Sequence, residues 1–225
     1  MREIEGFILA GGASSRMGRD KSQLRLGGKT FVKRAAVVIL AIALKSITLV
    51  VEPNRQALEI KLPNDVAIQL RVIRDVPVEK QNSDAKDRPR VAIIGLYTAL
   101  ARAETEWLAV LACDLPIVTG ELFERLVFLL ENDKTKSKNF DAVLPIQPGG
   151  RMQPLCTLYR PAACLSVVRE MLAGDDWGLQ KLLRGVKTRF VRFDEISDLR
   201  CAEYFFFNVN TPEDYAIAEA VLAKT

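Results

Sequence analysis

Leu9-Ala10-Gly11-Gly12-Ala13-Ser14-Ser15-Arg16-Met17-Gly18-Arg19-Asp20-Lys21 grows out of Glu3 to Ala10, a short apolar run that reads as a first β-strand. A strand that breaks at paired glycines and then turns basic predicts an anion-binding βα turn. Glycine lets backbone N–H groups approach phosphate oxygens closely, and Arg16 and Lys21 then neutralise the charge. The spacing excludes the two commonest phosphate loops. Five residues separate Gly12 from Gly18 and Lys21 comes too late for a Walker A loop, and the dinucleotide pattern G-x-G-x-x-G is absent. The competing reading is a tight strand-to-helix turn carrying solvated charges.

Working outward, short runs rich in β-branched residues alternate with longer amphipathic segments, which predicts βαβ units and a parallel sheet covered on both faces. Strands are expected at Ile47 to Val51, Val66 to Ile73, Trp107 to Ala112, Asp141 to Pro145, Leu155 to Tyr159, Val186 to Phe193 and Tyr204 to Asn208. Helices are expected at Phe31 to Leu44, Gln56 to Ile60, Val91 to Ala103, Pro161 to Leu172, Gly178 to Leu183 and Thr211 to Leu222, with another running from an N-cap at Thr119 to Leu130. Val76 to Arg90 is charged and loses apolar periodicity, as a long surface loop would. No stretch reads as a linker, so residues 1–225 are expected to form one domain.

Composition narrows the chemistry. Hydrophobic residues make up 49% and charged residues 27%, as in globular proteins with a sizeable core. The net charge of +4 does not call for nucleic acid, although Arg16, Arg19, Lys21, Arg25, Lys29, Lys33 and Arg34 crowd one stretch that suits a polyphosphate. Met1 to Ala10 lacks the pattern of a secretory signal, and Lys45 and Ser46 interrupt the most apolar stretch, Ala35 to Val51. A cytoplasmic protein without a membrane span is expected. Cys113, Cys156, Cys164 and Cys201 show no paired spacing and read as reduced thiols. Histidine is absent, which removes imidazole acid/base catalysis and leaves oxygen ligands, hence magnesium or a similar hard cation, for any metal site.

In an open parallel sheet, ligands bind beyond the carboxyl ends of the strands. Gly11-Gly12, Asn54, Asp75 and Asp114 fall at four successive expected ends. Asp114, at the close of an apolar strand, is the best metal candidate, with a capping aspartate before Pro116 as the alternative. For Asp75 the alternative is a surface pair with Arg74.

Four segments together resemble the molybdenum cofactor guanylyltransferases, a branch of the nucleotidyltransferase superfamily: the loop at 9–21, Cys-Asp-Leu-Pro at 113–116, Pro-Leu-Cys-Thr-Leu-Tyr at 154–159 and Asn-Val-Asn-Thr-Pro-Glu-Asp at 208–214. The resemblance implies a Rossmann-like α/β three-layer sandwich with a mostly parallel central sheet, and a magnesium-dependent transfer of GMP from GTP to molybdopterin with release of pyrophosphate. Carried over by position, Leu9, Ala10, Gly11, Gly12, Lys21, Asn54, Asp75 and Asp114 would contact the nucleotide. Arg16, Lys21 and Asp114 would serve catalysis, Asp114 would hold magnesium, and Asn208 and Asn210 would face the acceptor. Contacts to a molybdoenzyme or a maturation protein are a further expectation. For Asn210 a cap on the turn before Thr211 stays open.

Three departures touch the acceptor side more than the nucleotide. Arg90-Val91-Ala92-Ile93-Ile94-Gly95 replaces the family's Gly-Pro-Leu-Ala-Gly type segment and keeps only Gly95. Gln153 stands where histidine is common, and Glu52-Pro53 precede Asn54. The rival readings are a cytidylyltransferase, which generally has Leu-Ala-Ala-Gly where this chain has Gly12, a transferase for another phosphorylated acceptor, and a non-catalytic nucleotide-binding maturation factor.

Overall fold

The computed structural model of the chain describes residues 3–10, 21–43, 46–53, 69–75, 92–132, 139–174 and 176–224. The strands are β1 (Ile4–Leu9), β2 (Arg25–Leu26), β3 (Lys29–Thr30), β4 (Ser46–Val51), β5 (Gln69–Arg74), β6 (Trp107–Ala112), β7 (Ala142–Pro145), β8 (Cys156–Tyr159) and β9 (Thr188–Val191). The helices are α1 (Phe31–Leu40), α2 (Ala92–Arg102), α3 (Gly120–Asn132), α4 (Pro161–Ala173), α5 (Leu179–Gly185) and α6 (Pro212–Ala223). Among these residues no helix is long and apolar enough to cross a membrane.

Seven strands form one sheet in the order β5-β4-β1-β6-β8-β7-β9. Every pairing is parallel except those of β8, which runs antiparallel to both β6 and β7. Period-2 geometry sends alternate side chains to opposite faces. Ile4 and Ile8 of β1 and Trp107, Ala109 and Leu111 of β6 enter one apolar cluster with α1, α3 and α6. Phe7, Leu9, Leu108 and Val110 enter the other, with α2, α4 and α5. The sheet is thus the middle of three layers, and the expected α/β sandwich with a mostly parallel sheet is observed.

The first crossover is tightly packed. A Cβ on Gly6 would lie 2.0 Å from Ile39 Cγ2 and 3.5 Å from Ala43 Cβ, so α1 rests on β1 where no side chain intervenes. Ile39 Cγ2 branches directly from its Cβ and has no long stem on which to swing aside. Gly6→Val is expected to lower the unfolding free energy by about 2–3 kcal/mol, seen as a lower urea midpoint at unchanged slope.

The polar interior of β1 is satisfied as well. Glu5 is 2% exposed; its Oε1 accepts from Ser46 Oγ at 3.2 Å and its Oε2 from the Glu104 backbone N–H at 2.7 Å. One carboxylate therefore ties β1 to β4 and to the segment leading into β6.

Several expectations change. The helix after the first loop ends at Leu40, because Ala41, Ile42 and Ala43 close short turns on Val38 and Ile39. The residues before it fold as the β2–β3 hairpin, turned at Gly27 (φ 56°) and Gly28 (φ 77°), a left-handed pair that glycine takes without strain. Tyr204 to Asn208 is not a strand: Ala202–Tyr204 is a 3-10 turn. Phe205 and Phe206 are both buried in one cluster, with rings edge to face at 6.3 Å. Consecutive residues of a strand would point to opposite faces, so this burial requires a turn. Thr119 precedes α3, but its buried Oγ1 finds no hydrogen-bond partner among the described residues, so it does not act as a side-chain cap. Thr211 does, accepting from Asp214 N in a capping box with Pro212 at the first position. The expected helix at 56–60 and loop at 76–90 lie outside the described residues.

Candidate active site

Four parallel strands end side by side. Leu9 pairs with Val50 and Ala112, and Val51 with Arg74. The chain leaving each strand is stitched to its neighbour: Ala10 N–H donates to Val50 O at 2.9 Å, Asp75 N–H to Val51 O at 2.8 Å and Cys113 N–H to Leu9 O at 3.1 Å. Leu9, Ala10, Asp75 and Asp114 therefore share one edge of the sheet, as their positions at strand ends predict. Gly11, Gly12, Arg16 and Asn54 lie outside the described residues, as does the side chain of Lys21.

Asp75 is half-buried, with Oδ1 shielded from solvent. Gly95, in the first turn of α2, leaves space beside it: a Cβ there would stand 3.5 Å from Leu9 Cδ1 and 3.7 Å from Asp75 Oδ1. The glycine that survives from the resembling segment thus borders the carboxylate.

Asp114 is gripped by the motif at 208–214. Its Oδ2 accepts from Asn208 Nδ2 at 3.3 Å, and its backbone carbonyl accepts from Val209 N–H at 3.0 Å. Asn210 N–H and Thr211 N–H both donate to Asp214 Oδ2 at 2.9 Å, so the start of α6 holds this segment in place. Spacing gives no signal for a bond between residues 94 positions apart.

The antiparallel β8 brings a second wall to the same edge. It starts where β6 ends, with Ala112 N–H donating to Leu155 O at 2.8 Å. The hairpin leading into it turns at Gly149 (φ 89°) and Gly150 (φ 84°), and Gln153 N–H donates to Pro145 O at 3.3 Å. Gln153 is thus on the β7–β8 hairpin that flanks the Asp114 turn.

Arg34 donates through Nε to Pro116 O at 2.8 Å and through Nη1 to Leu26 O at 3.3 Å. Three of the cysteines offer no ready nucleophile: Cys113, Cys156 and Cys164 are buried thiols outside any disulfide. Burial pushes the Cys164 thiol up to about 12 and raises that of Cys156 as well. Among the described residues no group of three or more His, Cys, Asp or Glu could cage a metal alone. The available oxygen donors suit a cation that takes one or two carboxylates and completes its shell with substrate phosphates and water, as magnesium does.

An open, mostly parallel sheet with one antiparallel insert and a carboxylate-bearing carboxyl edge is the architecture of the α/β nucleotidyltransferases. Molybdopterin-guanine dinucleotide biosynthesis protein A from Archaeoglobus fulgidus superposes with a TM-score of 0.68 at 20% identity, covering 98% of this chain and 100% of that one. 2-C-methyl-D-erythritol 4-phosphate cytidylyltransferase from Thermus thermophilus superposes at 0.64 with 16% identity, covering 99% and 100%. The chain belongs to the MobA-like NTP transferase domain family, whose profile matches residues 6–191. A probable molybdenum cofactor guanylyltransferase of Bacillus anthracis is 30% identical over 224 residues, all of both chains, and one from Natranaerobius thermophilus is 29% identical over 236 residues, 99% of this chain and 98% of its own. The chain is accordingly a nucleotidyltransferase enzyme.

Proposed function

We propose that the protein transfers GMP from GTP to molybdenum-loaded molybdopterin in the cytoplasm, with residues 1–225 acting as one domain. The observation that carries this reading is the Asn208–Asp114 hydrogen bond, which joins the family's closing motif to the strand-end carboxylate. On this reading Leu9, Ala10, Gly11, Gly12, Asn54 and Asp75 line the nucleotide, Arg16 and Lys21 neutralise its phosphates, and Asn208 and Asn210 border the acceptor.

The terminal phosphate of the acceptor attacks the α-phosphorus in line. A new oxygen–phosphorus bond forms as the bond between the α-phosphorus and the oxygen bridging to the β-phosphate breaks, and pyrophosphate leaves with that electron pair. A phosphate nucleophile is already ionised at neutral pH, so positioning and charge neutralisation dominate. A chain without histidine can do this work. Asp114, with Asp75 nearby on the edge, would hold the magnesium, which supplies Lewis-acid neutralisation of the phosphates. Asn208 fixes the Asp114 carboxylate and offers the acceptor an uncharged amide surface.

The direct test is incubation with labelled GTP, magnesium and molybdenum-loaded molybdopterin, followed by identification of the dinucleotide. GTP with magnesium is also expected to raise the melting temperature more than CTP or ATP does, because selective binding to the folded state stabilises it by mass action. Equal shifts for all three would remove the guanine assignment; a larger shift with CTP would favour the cytidylyl reading.

A further inference from the structure

A separate cleft of about 220 Å³ opens between α1, the β2–β3 hairpin, the start of α3 and the segment at 200–201. Its lining contains Lys29, Arg34 and Arg200 and, among the described residues, no Asp or Glu. Lys29 and Arg200 are exposed and form no ion pair among the described residues. Arg34 commits its Nε and one Nη1 donor to the neutral carbonyls of Pro116 and Leu26, which fixes the guanidinium in place. Burial, and next the nearby Arg200 charge, lower its pKa, and among the described residues no carboxylate pairs with it. Thr119, whose Oγ1 has no hydrogen-bond partner among the described residues, lines the same space.

We propose that this cleft is a second anion site, distinct from the carboxyl-edge crevice, that takes a small phosphate-class oxyanion such as inorganic phosphate or pyrophosphate. Its volume is well below the roughly 300–1,000 Å³ of pockets that enclose drug-sized molecules, so it suits one or two phosphate groups rather than a nucleotide. Guanidinium groups match the oxygens of such an anion with paired, charge-assisted hydrogen bonds. Ile117, Val118 and Leu222 form apolar walls that strengthen those contacts by limiting water. The site stands whether or not the guanylyl reading holds.

Cys201 provides a local reporter, because it lines the cleft and is the partly exposed cysteine while the other three are buried. Inorganic phosphate and pyrophosphate, each against sodium chloride at equal ionic strength, are expected to slow alkylation of Cys201 by iodoacetamide, about tenfold when the anion stands near ten times its dissociation constant. Whichever protects at the lower concentration identifies the source, free phosphate or a leaving pyrophosphate. Arg200→Gln should remove the protection, and Asp114→Ala should keep it. Calorimetric titration of the same anions into Asp114→Ala, with and without Arg200→Gln, reads the site even if the thiol reacts slowly. Equal protection and equal heats with and without Arg200, or neither effect in the unaltered protein, would overturn the proposal. Nucleotidyl transfer by Arg200→Gln should be unchanged, which keeps this outcome separate from any failure of the proposed reaction.

Discussion

Asp114→Ala is expected to cut nucleotidyl transfer by about a hundred- to a thousandfold or more while the chain stays folded. The side chain sits at the mouth of the sheet, where its Oδ2 accepts a hydrogen bond from the exposed Asn208. Losing that bond costs about 1 kcal/mol. The anchor between Asp114 O and Val209 N–H uses only backbone and survives the substitution. Asp114→Asn separates charge from shape, because an amide oxygen can still accept from Asn208 but binds a hard cation poorly. It should be nearly as inactive as the alanine variant. Pyrophosphate release under saturating substrates, beside a thermal melt, measures both effects. Retained turnover would show that the cation is held elsewhere.

Trp107→Ala is expected to cost about 3–5 kcal/mol of stability, the usual range for removing a large buried aromatic side chain. Trp107 is fully buried at the start of β6, with the Arg160 guanidinium 5.0 Å from its ring centroid. Removing the ring opens a cavity at the centre of the sheet and takes away the surface on which Arg160 rests. Trp107→Phe should cost far less, under about 1.5 kcal/mol. The indole Nε1 has no partner among the described residues, so phenylalanine gives up no hydrogen bond and removes a buried polar atom. Urea midpoints for the two variants test the contrast; equal losses would mean that the indole N–H matters to the fold.

The strands buried on both faces were the most legible elements. β1, β4 and β6 are buried along their whole length and read as mostly apolar runs, interrupted by Glu5 in β1 and by Ser46 and Thr48 in β4. Burial misled where the chain stayed apolar past an element's end. Ala41-Ile42-Ala43 looks like continuing helix, and the aromatic run at 204–207 looks like a strand. Only the packing of neighbours decides such cases. The placement of Asp75 and Asp114 on one edge was readable because it follows from where strands end. The partnership of Asp114 with Asn208 was not, since nothing local links residues so distant in sequence. The charges at 16–34 formed one cluster in sequence, yet Arg34 faces another cleft, a choice made by the Pro116 carbonyl.

The reversed strand β8 also shapes how such an enzyme can diversify. Its incoming hairpin overhangs the ladder, so insertions or exchanges there shift no register and disturb none of the parallel strands whose ends carry Leu9, Asp75 and Asp114. The segment at 146–155 can therefore change in length or sequence while the strand ends that carry Leu9, Asp75 and Asp114 keep their register.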